Sequence, residues 1–162
     1  MAEQAVLALG GNLGDRKKTI KSAIKQIKAL EGVVLLKKSP LFESFAATTE
    51  GVDEKAPRYL NGVIQIETTL KPGVLLTRLR EIETSHGRVR LERWGSRTLD
   101  IDIITYGNEI KSGKRLTLPH PRAYQRAFVM VPWAAMDPTA KLMGHGSVAA
   151  LAEGLKSQVW EI

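Results

Sequence analysis

Thr98-Leu99-Asp100-Ile101-Asp102-Ile103-Ile104-Thr105-Tyr106 is the most strand-like run of this 162-residue chain, β-branched and apolar apart from two carboxylates set two residues apart. Upstream, Pro72 opens a helix in which Leu75, Leu76, Leu79, Ile82 and His86 recur at three-to-four spacing, with Gly87 as its expected C-cap. Before it, Leu60 to Leu70 alternates as a strand buried on at least one face. Val33 to Leu36 is a further strand, bent or edged at Ser39-Pro40, with Leu41 to Phe45 as its candidate continuation. Ala46 to Arg58 has no usable period and reads as a mobile loop. At the front, Val6 to Leu9 is a strand that stops at a glycine-rich turn, Gly10 to Asp15. Asp15 then caps a helix running to about Leu30, ended by Gly32.

The order βαββαβ predicts an α+β, ferredoxin-like fold: an antiparallel sheet with two helices on one face. Leu116 to Trp133, with three prolines, reads as loop and short helix, and Val148 to Leu155 as a last helix, so a C-terminal extension follows the sheet. Residues 1–162 are expected to form one domain, since the chain holds no internal repeat, low-complexity tract or linker.

Composition narrows the function. The 17.8 kDa chain has no cysteine, which excludes a disulfide scaffold, a cysteine-bound zinc, an iron–sulfur cluster and a thiol nucleophile. No apolar run approaches the ~18 residues of a membrane span. The start, Met1-Ala2-Glu3-Gln4, lacks the order of a signal peptide, so a cytoplasmic location without a membrane partner is expected. Twenty-four Lys and Arg against 17 Asp and Glu give a net charge of +7, and the question becomes which anion this surface meets. Lys17, Lys21, Lys25 and Lys28 fall beside an apolar helical stripe and read as a solvated face. Arg78 to Arg97 differs in kind, because its six arginines are mixed with Glu81, Glu83 and Glu92.

Residues two apart on a strand share a face, so Asp100 and Asp102 project together and need a counter-charge. Arginines could supply it through salt bridges; so could divalent cations, which take carboxylate oxygens and keep waters and phosphates as other ligands. Directly upstream, Gly87-Arg88-Val89-Arg90-Leu91-Glu92-Arg93-Trp94-Gly95-Ser96-Arg97 holds four guanidiniums within ten residues, with Gly87 and Gly95 to loosen the backbone. It is either a solvated basic loop or a cover for a polyphosphate, whose oxygens match the forked donors of arginine. Cations and carboxylates converging on one place is the layout of phosphoryl transfer. Lys114 to Arg122 and Arg126 form a third basic group, in which His120 by itself reads more readily as structural than as catalytic. The turn at Gly10 matches neither GxxxxGK[ST] nor GxGxxG, so Walker and Rossmann readings fail.

Taken in order, Leu9 to Arg16, Tyr59-Leu60-Asn61, Gly87 to Arg90, Arg93 to Asp102 and Leu118-Pro119-His120-Pro121-Arg122 closely resemble the 6-hydroxymethyl-7,8-dihydropterin pyrophosphokinase family of folate biosynthesis, over about residues 5 to 138. The resemblance implies a ferredoxin-like fold, transfer of diphosphate from ATP to a pterin hydroxymethyl group with release of AMP, and two Mg²⁺ ions. By the same resemblance Asp100 and Asp102 hold the metals, and Arg88 and Arg97 are mobile phosphate-contacting arginines. Arg90, Arg93, Arg115, Thr117, His120 and Arg126, together with Glu83 and Ile103, fall along the ATP site. Tyr59 and Phe128 match the aromatic pair that sandwiches the pterin, Asn61 the residue that reads its edge, and Ser44 stands where a threonine is common. Gly11 replaces a usual serine, Ser96 a usual proline, and Phe45-Ala46-Ala47 lacks the prolines of the pterin-side loop.

The partners implied are ATP and a hydroxymethyl dihydropterin. The rival from another class, an RNA-binding ferredoxin-like module, would need exposed aromatics on central strands, and these strands lack them. A different metal-dependent phosphotransferase and an inactive homologue complete the alternatives.

Overall fold

A computed structural model describes residues 2–48, 51–53, 55, 57–87 and 98–162. In chain order the elements are β1 (Glu3–Gly11), α1 (Arg16–Lys28), β2 (Val33–Lys38), β3 (Phe42–Ser44), β4 (Ala46–Thr48), β5 (Gly51–Asp53), β6 (Tyr59–Thr68), α2 (Pro72–Ser85) and β7 (Asp100–Tyr106). Beyond these lie β8 (Lys111–Ser112), β9 (Thr117–Leu118), α3 (Ala127–Met136), β10 (Lys141–Leu142), β11 (Gly146–Ser147), α4 (Val148–Glu153) and β12 (Val159–Glu161). The main sheet runs β12-β3-β6-β1-β7, with β2 also on β6, and its strand pairs are all antiparallel. This is the expected ferredoxin-like arrangement.

Local chemistry accounts for the boundaries. Asp15 accepts from Lys18 N at 3.2 Å and caps α1. Proline occupies the first turn of α2, where its missing N–H costs nothing, and Gly87, with φ +79°, follows the C-cap His86. Pro40 interrupts the second strand as expected: β2 pairs with one half of β6 through Val33 and Thr68, and β3 with the other half through Phe42 and Asn61.

Three expectations change. Gly10 and Gly11 belong to β1 rather than to a turn. The segment expected as loop holds a short hairpin, β4 with β5, registered Ala46 to Asp53, because backbone pairing needs no side-chain period. Most consequentially, helices cover both faces of the sheet. Leu7, Leu9, Ile64, Ile66, Ile101 and Ile103 pack with Ala23, Ile27, Leu75, Leu79 and Ile82 of α1 and α2. Val6, Ala8, Val63 and Ile104 pack with Val129, Met130 and Trp133 of α3 and with Val148 and Ala152 of α4. Each fully buried Leu or Ile contributes roughly 1.5 to 3 kcal/mol. A register shift opposite Val6 and Leu7 skips Ile104 and resets the alternation, so Ile103 and Tyr106, three positions apart, fill the same core while Ile104 fills the other. The closing strand β12 has no clear period in the sequence and was not anticipated there.

One buried carboxyl ties α2 to β7. Glu83 is 1% exposed, and its Oε2 accepts from Ile101 N and from Arg80 Nη1, both at 2.7 Å. The same Arg80 nitrogen donates to Ile101 O at 2.8 Å. Burial outweighs the lowering by Arg80 and the Ile101 N–H, and the charge of Asp100 adds to it, so the carboxyl is pushed up from 4.5 to about 7. Between those two values the folded chain holds a proton that the unfolded chain has released. The contribution is therefore fully present below about 4.5 and is lost as pH rises through about 7, by roughly 3 kcal/mol. Glu83→Gln, which does not titrate, should gain stability relative to the native chain between pH 5 and pH 7.5 in urea unfolding. An identical difference at both values would mean that this carboxyl titrates normally.

Candidate active site

Strand register assembles the site. Gly10 of β1 pairs with Asn61 of β6 on one side and with Asp100 of β7 on the other. Two residues earlier, Ala8 pairs with Val63 and Asp102. Cross-strand partners share a face, so Asn61, Asp100 and Asp102 stand on the side of the sheet that Ala8 and Val63 share with α3. A Cβ on Gly10 would lie 3.0 Å from Asn61 Oδ1, so glycine is what allows that amide to stand beside β1.

Asn61 is buried, and its Nδ2 donates to Phe42 O at 3.2 Å and to Ser44 Oγ at 3.0 Å. These bonds fix the amide with its oxygen toward Gly10. Ser44 pairs across the ladder with Tyr59, two residues before Asn61 on the same face. The four residues expected at the pterin thus divide into Ser44, Tyr59 and Asn61 on adjoining strands and Phe128 in the first turn of α3.

Arg126, the N-cap residue of α3, joins the two halves. Its Nη1 lies 3.9 Å from Asp102 Oδ2, and its guanidinium carbon stands 5.5 Å from the centre of the Phe128 ring. Burial lowers the pKa of Arg126 and raises that of Asp102, the latter helped by the charge of Asp100 and opposed by His120, Arg80 and Arg126. Two carboxyls on one face therefore repel each other in partial burial, and the Arg126 guanidinium stands at the outer limit of an ion pair with Asp102.

Along the outer edge of β7 runs a cleft of about 210 Å³ between α2 and residues 113–121. Asp102, expected at the metal, lines it together with Ile103, Arg115, Thr117 and His120, four of the residues expected along the nucleotide. Lys114, Leu116 and Pro121, from the third basic group, also line it, as do Leu76, Arg80 and Gly113, which the sequence reading did not nominate. A signal existed for Arg80, three residues before Glu83 on a helix and so beside it. Glu83 is not a lining residue; it lies buried and holds Arg80. Arg115 is braced on α2 by a 2.6 Å bond from Nη2 to Thr77 Oγ1. His120 Nδ1 accepts from Arg122 N at 3.2 Å, which leaves the proton of the neutral ring on Nε2, and burial holds its pKa below the ordinary value. A larger groove of about 700 Å³ near the start of α2 shares Arg115 with the cleft but contains neither aspartate. Arg88, Arg90, Arg93 and Arg97, with Trp94 and Ser96, lie outside the described residues.

The donor set suits a hard divalent cation. Among the described residues no group of three or more His, Asp or Glu converges as a self-sufficient metal cage. Two carboxylates beside a cleft lined by Arg, Lys and His match instead the way Mg²⁺ is held, by one or two protein carboxylates plus water and substrate phosphates.

Comparison with known proteins identifies the family. Residues 6–138 match the family described as 7,8-dihydro-6-hydroxymethylpterin-pyrophosphokinase. The chain is 44% identical over 128 residues to the 2-amino-4-hydroxy-6-hydroxymethyldihydropteridine pyrophosphokinase of Haemophilus influenzae, covering 79% of this chain and 78% of that one. It is 38% identical over 142 residues to the enzyme of the same name from Pseudomonas aeruginosa, covering 88% and 85%. In fold it resembles crystalline Plasmodium falciparum HPPK-DHPS bound to pterin and p-hydroxybenzoate, with a TM-score of 0.73 at 14% identity. That superposition takes in all of this chain but only 48% of the longer one. On its sequence match across most of its length, the chain belongs to the 7,8-dihydro-6-hydroxymethylpterin-pyrophosphokinase family.

Proposed function

We propose that this protein transfers the terminal diphosphate of ATP to the hydroxymethyl group of 6-hydroxymethyl-7,8-dihydropterin and releases AMP, with Mg²⁺ held by Asp100 and Asp102. The observation that carries the reading is Arg126, which lies against both Asp102 and Phe128 and so joins a carboxylate and phosphate site to an aromatic one. Family membership supplies the reaction, and ATP as co-substrate fits the basic cleft beside β7.

Phe128 and Tyr59 would bury the two faces of the flat heterocycle, while Asn61 and Ser44 read its polar edge. On the other side Arg80, Lys114, Arg115 and Arg126 would balance the polyphosphate charge, and His120 would donate from Nε2. Two Mg²⁺ ions, when bound, would neutralise phosphate charge and lower the pKa of the attacking hydroxyl. The chain has no cysteine, and the serine–histidine contacts among the described residues, Ser22 and Ser85 with His86, lie outside the cleft, so the residues orient an in-line attack on the β-phosphorus without a covalent enzyme intermediate. Arg88 and Arg97 would add donors where charge accumulates on the leaving AMP oxygen.

Incubation with ATP, Mg²⁺ and the pterin alcohol tests the reading: AMP and a diphosphorylated pterin should appear in equal amounts. ADP as product, or turnover that ignores the pterin, would refute it. Within this scheme Phe128→Ala should weaken pterin binding by about 1 to 3 kcal/mol while ATP binding stays nearly intact, as read by calorimetry with a non-hydrolysable ATP analogue present. Unchanged pterin affinity would remove Phe128 from the site.

Asp102→Asn should relieve the repulsion between the carboxylates. Without nucleotide the variant should melt at the native temperature or above, yet lose most activity and magnesium-dependent ATP binding. If Asp102 served instead as the partner of a buried ion pair, its loss would cost about 3 to 5 kcal/mol, and a clear drop in melting temperature with activity kept would show it.

A further inference from the structure

The family match ends at residue 138, yet the last strand of the chain reaches the wall of the pterin side. β12 is the outermost strand, pairing Val159 with Ser44 and Trp160 with Glu43. Trp160 Nε1 donates to Glu43 Oε1 at 3.0 Å, and its ring meets Phe45 edge-on with centroids 5.2 Å apart. The Arg58 guanidinium lies 5.1 Å from the Trp160 ring and 5.2 Å from the Phe45 ring. Glu43 in turn pairs with Arg16 at 2.7 Å and faces Arg58 at 3.8 Å, while Arg16 Nη1 donates to Arg58 O at 2.9 Å.

Glu43 and Phe45 are the chain neighbours of Ser44, and Arg58 is the chain neighbour of Tyr59. Trp160 therefore touches the residues on both sides of one expected pterin contact and the residue leading into another. The Arg58 side chain is 51% exposed, so this cluster sits at the rim of the fold and not in its core. An aromatic and cationic clasp of this kind restrains the segments that meet in it.

We propose that Trp160 is a positioning residue for the pterin site: by clasping Phe45, Arg58 and Glu43 it holds the segments that carry Ser44 and Tyr59 at the spacing the pterin requires. The proposal rests on the functional reading above. Its effect falls on pterin binding and not on the ATP cleft, which lies along β7 at the opposite edge of the sheet.

Steady-state kinetics on the full-length chain tests it. Trp160→Ala should raise the KM for the pterin roughly tenfold, with kcat and the KM for ATP within about twofold of native. Trp160→Phe, which keeps a ring against Arg58 and Phe45 but loses the bond to Glu43, should recover most of that loss. An unchanged pterin KM, or a fall in kcat alone, would overturn the proposal. If Trp160→Ala does not fold, Arg58→Met probes the same clasp from the surface: a raised pterin KM supports it and an unchanged one overturns it. Failure of the native chain to convert the pterin would refute the functional reading and this proposal with it. Native turnover with a pterin KM unaffected in the variants would refute the clasp alone.

Discussion

The site depends on a single cross-strand row. Phe42 pairs with Asn61, Asn61 with Gly10, and Gly10 with Asp100, on four neighbouring strands of one sheet. Strand pairing therefore sets the separation between the amide expected to read the pterin and a carboxylate expected to hold the metal. Antiparallel pairing is specific in register because a slip of one residue would turn Leu7, Leu9, Ile64 and Ile101 out of one core and the carboxylates into it. Hydrophobic patterning thus fixes the functional geometry, although no apolar side chain in that core belongs to the reaction.

The same economy explains the distribution of charge. Burial and the charge of Asp100 raise the cost of ionising Asp102, and Glu83, on the α2 side of β7, feels the charge of Asp100 as well. Arg80 and Arg126 moderate this from opposite sides of the strand without a tight bond to either aspartate among the described contacts. A strand loaded in this way is poorly arranged for stability in isolation and well arranged to receive cations together with a polyphosphate.

Much of this was legible in the sequence because it rests on local signals. The period of Leu75, Leu76, Leu79 and Ile82, the cap at Asp15, the break at Pro40 and the two-residue spacing of the aspartates each depend on a few adjacent residues, and together they define a βαββαβ order. What escaped depends on distant partners. Gly10 looks like a turn residue until Asn61, 51 positions later, is placed against it. Arg80 reads as one of many surface arginines until β7 packs on α2, and β12 is too short to declare itself before its pairing with β3 is known. The second helical layer was underestimated because α3 is apolar nearly all round and carries Pro132 in its interior, so it gave no amphipathic period to read.

Strand register, through the space left at Gly10, sets the residues expected at the pterin and at the metal on one face of the sheet. Its most direct test is the affinity of Gly10→Ala for the pterin, measured by calorimetry with a non-hydrolysable ATP analogue and Mg²⁺ present. The new methyl group would stand 3.0 Å from Asn61 Oδ1 and force an amide already bonded to Phe42 and Ser44 to shift. This arrangement predicts a loss of about tenfold or more in pterin affinity, the scale of one disturbed hydrogen-bonding group, with ATP affinity and folding cooperativity retained. Native pterin affinity in that variant would contradict it.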